Sequence, residues 1–208
     1  MPTRAELMPT PNSTLCFGGS FNPIHNGHLV CAQAVAKQAG YDQVLLIPSN
    51  VPPHKPNSGL ASSEDRLAMC RLAAAGETSG LFEVSDIETR RAGPSFTLDT
   101  ARELREQGMP RVDWLIGADM LLYLPKWHRP LELLKEVHFV IMDRPGWLIN
   151  WEKLPSEYQQ LRSQMVAAPL IDITANQIRQ RVAAGESIDG LIPPAVARYI
   201  AEHKLCRD

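Results

Sequence analysis

The sequence predicts an α/β fold: a doubly wound parallel sheet with helices on both faces and a more helical C-terminal third. Three observations predict it. Short apolar runs alternate with longer segments of helical period, the pattern of repeated strand–helix units. Most of the runs are continuously apolar, as expected of strands covered on both faces. Each run also ends on glycine, proline or polar residues, where the connections of a parallel sheet begin.

The elements follow in order. TLCF at 14–17 is the first strand, closed by Gly18-Gly19. From His28 to Ala39 the apolar spacing is helical, and Gly40 is a C-terminal stop. QVLLIP at 43–48 is a second strand, rich in Val, Leu and Ile and ended by Pro48. SNVPPHKPNSG is loop, and the Pro, Gly and Ser of 54–63 mark that stretch as the expected mobile one. Ser62 is the expected cap of the next helix, with Glu64 and Asp65 in the first turn, where negative charge suits the helix dipole. That helix is expected to end near Gly76, and LFEVSDI at 81–87 alternates like a strand. Thr97 to Gln107 is helical and Gly108 ends it. VDWLIG at 112–117 and VHFVIM at 137–142 are two more buried strands. Trp151–Met165, Thr174–Ala184 and Pro194–Lys204 read as helices.

A chain of 208 residues, 44% apolar and 21% charged, can bury a proper core. Residues 1–13, with three prolines and no apolar core, read as a flexible leader, with Met8 an alternative start and 14–208 a single domain. The net charge of −2 lacks the basic excess of a nucleic-acid binder. No apolar stretch approaches a membrane span. Cys16, Cys31, Cys70 and Cys206 form no C-x-x-C pair, so reduced thiols in a cytoplasmic protein are expected.

Ligands of such sheets bind at the carboxyl ends of the strands. The first end is the most telling: LCFGGSFNPIHNGHL, residues 15–29. Gly18 and Gly19 let a ligand approach the backbone, and a helix start just beyond carries unpaired N–H donors and partial positive charge. His28 falls in that first turn and His25 three positions back, so both rings can face one side. The stretch lacks the G-K-[ST] of a P-loop and the G-x-G-x-x-G of a dinucleotide site. Zinc would need three or four protein ligands, and this pair supplies only two. The remaining reading is a phosphoryl group held by imidazoles and helix N–H groups.

GGSFNPIHNGHL resembles the H-x-G-H signature of the nucleotidylyltransferase superfamily, which has a Rossmann-like fold. Ser20 and Asn22 stand where many relatives carry Thr and Asp. The resemblance implies that His25 and His28 meet the phosphates of ATP and stabilise the transition state, with Gly18, Gly19, Ser20 and Phe21 beside them. A second stretch, ITANQIR at 173–179, is similar to the superfamily's I-S-S-T-x-I-R motif. Thr174 and Gln177 have capping-box spacing. The resemblance assigns Ile173 and Thr174 to the nucleotide and Arg179 to the β- and γ-phosphates, a task that suits a planar guanidinium fork. Asn176 takes the place of the motif's usual Thr.

From Leu15 to Leu205 the order and spacing of the blocks resemble the bacterial nicotinate-nucleotide adenylyltransferases: the two motifs, IPSNVPPHKP, GPSFTLDT, and IGADMLLYLPKWHRP with DRPGW. That family joins nicotinate mononucleotide to ATP, giving deamido-NAD and pyrophosphate, with Mg²⁺ entering on the ATP and no metal held by protein ligands alone. The residues fit. Trp127, in a polar loop, offers a flat wall for a pyridine ring. Thr97 and its helix start suit a carboxylate. Asn50, Lys55 and Arg144 are placed for the acceptor and its phosphate, and Gly117 and Asp119 for the nucleotide and its ribose. Two alternatives stay open at this level. One is a relative using nicotinamide mononucleotide or another phosphomonoester; the other is a nucleotide-binding module without catalysis.

Overall fold

The computed structural model describes residues 13–53, 59–143 and 149–206. The expected leader up to residue 12, Met8, Lys55, Arg144 and residues 54–58 of the 54–63 stretch lie outside the described residues.

Six strands form one parallel sheet: β1 (Thr14–Gly19), β2 (Gln43–Pro48), β3 (Phe82–Val84), β4 (Asp113–Gly117), β5 (His138–Asp143) and β6 (Met165–Ala167). Their order is β3-β2-β1-β4-β5-β6, so the winding reverses after β1. Leu15 faces Asp113 across β1 and β4, and Ile116 faces Ile141 across β4 and β5. The helices are α1 (Asn26–Ala39), α2 (Ser63–Ala75), α3 (Thr97–Glu106), α4 (Ala118–Leu121), α5 (Pro130–Glu136), α6 (Ala175–Ala183) and α7 (Pro194–Glu202). No helix among the described residues is long and apolar enough to cross a membrane.

The continuous apolar runs are buried as their pattern demands. Leu15, Cys16, Val44, Leu46, Ile47, Leu115, Phe139 and Ile141 are all at or near complete burial. Gly40 ends α1 with φ +82°. Ser62 caps α2 by accepting from the Asp65 N–H.

The structure departs from the expected elements in three places. β3 keeps only three residues of the 81–87 run, because the chain leaves the sheet once the Ser85 N–H has bonded the Leu46 carbonyl. Residues 151–165 do not form an α-helix. Pro155 divides them into two 3₁₀ segments, Trp151–Lys153 and Ser156–Gln164, and Met165–Ala167 instead joins the sheet edge beside β5. The stretch between β4 and β5 holds α4 and α5, which polar residues and prolines hide from a reading by apolar period.

The described residues form two compact units. One takes the chain up to Phe17, Cys31–Leu45 and Phe96–Leu170. Within it Arg102 and Arg105 of α3 reach Glu136 of α5, and buried Asp113 accepts from Arg111 at 2.8 Å and pairs with His138 at 2.6 Å. The other takes Gly18–Val30, Leu46–Ser95 and the chain from Ile171. There the Tyr199 hydroxyl of α7 donates to Asp65 of α2 at 2.9 Å.

Candidate active site

β1 delivers the first motif at its carboxyl end. Beyond Gly19 the chain turns sharply: Phe21 has φ +44°, which side-chain-bearing residues rarely adopt, and the Asn22–Pro23 peptide is cis. The positive φ folds the Phe21 ring back over Gly19, where a Cβ would stand 3.1 Å from it. Gly19 is therefore needed by Phe21. Phe21 is itself 3% exposed, so its backbone is the part it can present to a ligand.

His25 immediately precedes α1 and His28 is the third residue of the helix. Each ring locks onto the other's backbone. The His28 N–H points to His25 Nδ1 at 3.3 Å, and the His25 N–H donates to His28 Nδ1 at 3.2 Å. It is a capping box made with imidazoles. The rings stack with centroids 3.6 Å apart, and Phe21 meets His28 edge-on at 5.2 Å. In a neutral imidazole that accepts at Nδ1, the proton sits on Nε2. The His28 N–H also bonds the His25 carbonyl at 2.9 Å, so its contact with the ring is shared, and a neutral ring that accepts at Nδ1 can donate from Nε2. Gly27 completes the arrangement, because a Cβ there would stand 3.0 Å from His25 Nδ1 and 3.3 Å from Ile171.

The helix start differs from the expectation of amides awaiting an anion. The Asn26 N–H bonds the Leu191 carbonyl at 2.9 Å, and the His28 N–H is turned to His25. Two first-turn amides are thus in use internally.

The second motif comes to the same loop from 157 residues away in sequence. Arg179 donates to the Asn22 carbonyl at 2.8 Å and to Asn176 Oδ1 at 3.1 Å. Asn176, the departure from the motif, thus steadies the arginine. Thr174 forms the expected capping box with Gln177, its hydroxyl accepting from the Gln177 N–H at 3.1 Å. Ile173 is half-buried just before it. Burial pushes the Cys206 thiol up from its ordinary value, opposed by the Arg179 charge. Asn50, after β2, is held by its surroundings: its N–H donates to Ser95 Oγ and its side-chain amide to the Arg91 carbonyl, both at 2.8 Å.

Two further side chains grip this loop: Arg66, which no sequence pattern singles out, and Asn22, which the sequence shows only as a departure from the Asp of many relatives. Arg66 of α2 is 1% exposed. The Asn22 amide donates to the Gly59 carbonyl at 2.8 Å and accepts from the Ala61 N–H at 3.1 Å. An arginine inside an amphipathic helix reads as surface, and only the folded chain reveals it as buried.

The other compact unit carries the remaining candidates. Gly117 ends β4 and precedes α4, and the Asp119 carboxylate folds back over it so closely that a Cβ at Gly117 would collide with it. Gly117 stands at the N-cap of α4, with Asp119 in its first turn. Thr97 opens α3, whose start has no side-chain cap. Phe96 stacks on His128 at 4.2 Å, which joins the start of α3 to the loop of Trp127. Trp127 is half-buried and meets Phe139 of β5 edge-on at 6.4 Å. Its ring rests on the sheet.

The sequence matches the cytidylyltransferase-like family over residues 16–181. A chain of Synechococcus sp. (strain JA-3-3Ab) named probable nicotinate-nucleotide adenylyltransferase is 40% identical over 194 residues, covering 92% of this chain and 93% of its own. One of the same name from Yersinia enterocolitica serotype O:8 / biotype 1B is 40% identical over 225 residues, with 100% of both chains covered. The structure of Plasmodium falciparum nicotinic acid mononucleotide adenylyltransferase complexed with NaAD shares the fold, with a TM-score of 0.73 at 18% identity over 93% of this chain and 97% of that one.

Proposed function

The chain belongs to the cytidylyltransferase-like family, with the nicotinate-nucleotide adenylyltransferases as its relatives, and on that premise we propose how its residues work. It is a nucleotidyltransferase of NAD biosynthesis. It transfers the AMP moiety of ATP to nicotinate mononucleotide, giving deamido-NAD and pyrophosphate.

An oxygen of the mononucleotide 5′-phosphate attacks the α-phosphorus. The new P–O bond forms as the bond from the α-phosphorus to the α,β-bridging oxygen breaks, and pyrophosphate leaves. A phosphate monoester is already anionic near neutral pH, so no proton has to be removed from the nucleophile. Catalysis is positioning and charge stabilisation. We assign that task to His25 and His28, whose Nε2–H groups donate to phosphate oxygens as charge moves onto them. Gly18, Gly19, Ser20 and Phe21 supply the surrounding backbone. Arg179, already at the Asn22 carbonyl, serves the departing phosphates, with Ile173 and Thr174 at the nucleotide. Gly117 and Asp119 serve the ribose of the nucleotide. Thr97 and Trp127 are assigned to the pyridine carboxylate and ring, and Asn50, Lys55 and Arg144 to the acceptor and its phosphate. Both compact units are built from interleaved segments, which supports reading 14–208 as one catalytic domain.

Enzymes of this class generally need a divalent metal ion. Among the described residues no group of three or more His, Cys, Asp or Glu is arranged to hold one. We assign that ion as Mg²⁺ carried on the triphosphate and its waters, where it would neutralise phosphate charge. A cytoplasmic location agrees with an ATP-dependent step of NAD biosynthesis and with the reduced thiols expected from the sequence.

The observation that carries this reading is the reciprocal contact of His25 and His28 at the end of β1, where each Nδ1 faces the other's backbone N–H. A pyrophosphate-release assay with a panel of acceptors tests it. Turnover is expected with nicotinate mononucleotide, above that with nicotinamide mononucleotide or pantetheine phosphate. Nucleotide binding without pyrophosphate release from any acceptor would contradict it.

A further inference from the structure

Arg66 is the largest side chain among those the fold buries completely. Its three nitrogens reach three backbone carbonyls. Nη1 donates to Ser20 at 2.9 Å, Nη2 to Asn50 at 2.7 Å, and Nε to Ala61 at 3.0 Å. Burial lowers its pKa from the ordinary arginine value, yet a guanidinium remains charged. Ser20 lies on the loop after β1 and Asn50 on the loop after β2, so one rigid planar group fixes the spacing of two strand ends. Asn22 adds a second tie between the same regions, through Gly59 and Ala61.

We propose that Arg66, seconded by the Asn22 side chain, is a positioning clamp. It holds the phosphate-facing loop after β1 against the acceptor-facing loop after β2, so that the attacking phosphate and the α-phosphorus are aligned. The proposal rests on the functional reading above, which places Ser20 at ATP and Asn50 at the acceptor. Arg66 touches neither substrate in this scheme and acts only through those carbonyls. A lysine cannot replace it, because a single ammonium cannot span three separated acceptors. An apolar residue would leave three carbonyls buried without donors, at a high cost to folding.

The signature of a clamp is loss of alignment with retention of binding. In Arg66→Lys, kcat per folded molecule should fall about 10- to 100-fold, as misplacement of reacting groups by about 1 Å does. Dissociation constants for ATP alone and for nicotinate mononucleotide alone should each move by less than about threefold. Asn22→Ser, which leaves the arginine in place, should show the same split more weakly. A merely structural role would lower the melting temperature and leave kcat per folded molecule unchanged. The clamp is refuted if folded Arg66→Lys turns over within about twofold of wild type, or, should that variant not fold, if Asn22→Ser does. Wild-type enzyme runs in the same assay. A silent wild type would indict the functional reading, whereas an active wild type with unaltered variants would indict the clamp alone.

Discussion

At the scale of single residues, the least conspicuous member of the histidine motif has the clearest steric reason to be there. Gly27 is glycine because the His25 ring lies over it, with 3.0 Å left for a Cβ. In most helices Gly→Ala is favourable by about 1 kcal/mol. Here the added methyl would push the ring out of its hydrogen bonds with the His28 backbone. Gly27→Ala should therefore keep its helix content by circular dichroism and lose about tenfold or more in kcat. Wild-type kcat in that variant would show that ring placement is not what Gly27 secures. The histidine pair itself was legible in the sequence, because spacing alone puts both rings on one side of a helix start. The mutual contact of the two rings with each other's backbone was not, since it depends on which N–H each Nδ1 meets. Nor was Arg66, whose burial depends on carbonyls from three other segments.

At the scale of elements, caps and strands were read well wherever the signal is local. Ser62 and Thr174 cap as their neighbours predict. The 151–167 stretch was not legible, because the register of β6 on β5 is a tertiary fact and a three-residue edge strand carries almost no period. The pairing of α3 with α5 is likewise tertiary and makes a pH prediction. Arg102, and with it Arg105, holds the Glu136 carboxyl below its ordinary value of 4.5, against the opposing effect of burial. A carboxyl with a depressed folded pKa stabilises above its unfolded value, and that stability is lost as pH falls through the folded value. Urea midpoints should show a constant gap between wild type and Glu136→Gln above about pH 4.5, narrowing as the medium is made more acid. A gap that stays constant or widens there would mean that this ion pair does not tie the two helices.

At the scale of the whole molecule, the alternation of apolar runs and helices was enough for a parallel α/β sheet, and the order of the motif blocks was enough for the family. The strand order, with its reversal after β1, follows from the connections. What a linear reading cannot supply is convergence: Arg179 meets the loop after β1 although 157 residues separate it from Asn22. The catalytic account depends on that meeting and on the histidine lock beside it. Single-turnover rapid-quench kinetics of His25→Ala and His28→Ala, with ATP affinity measured alongside, test it most directly. The account predicts a chemical step slowed about 10²- to 10³-fold in each variant, with ATP binding changed little. A chemical step at the wild-type rate in either variant would remove that imidazole from the transition state and contradict the account.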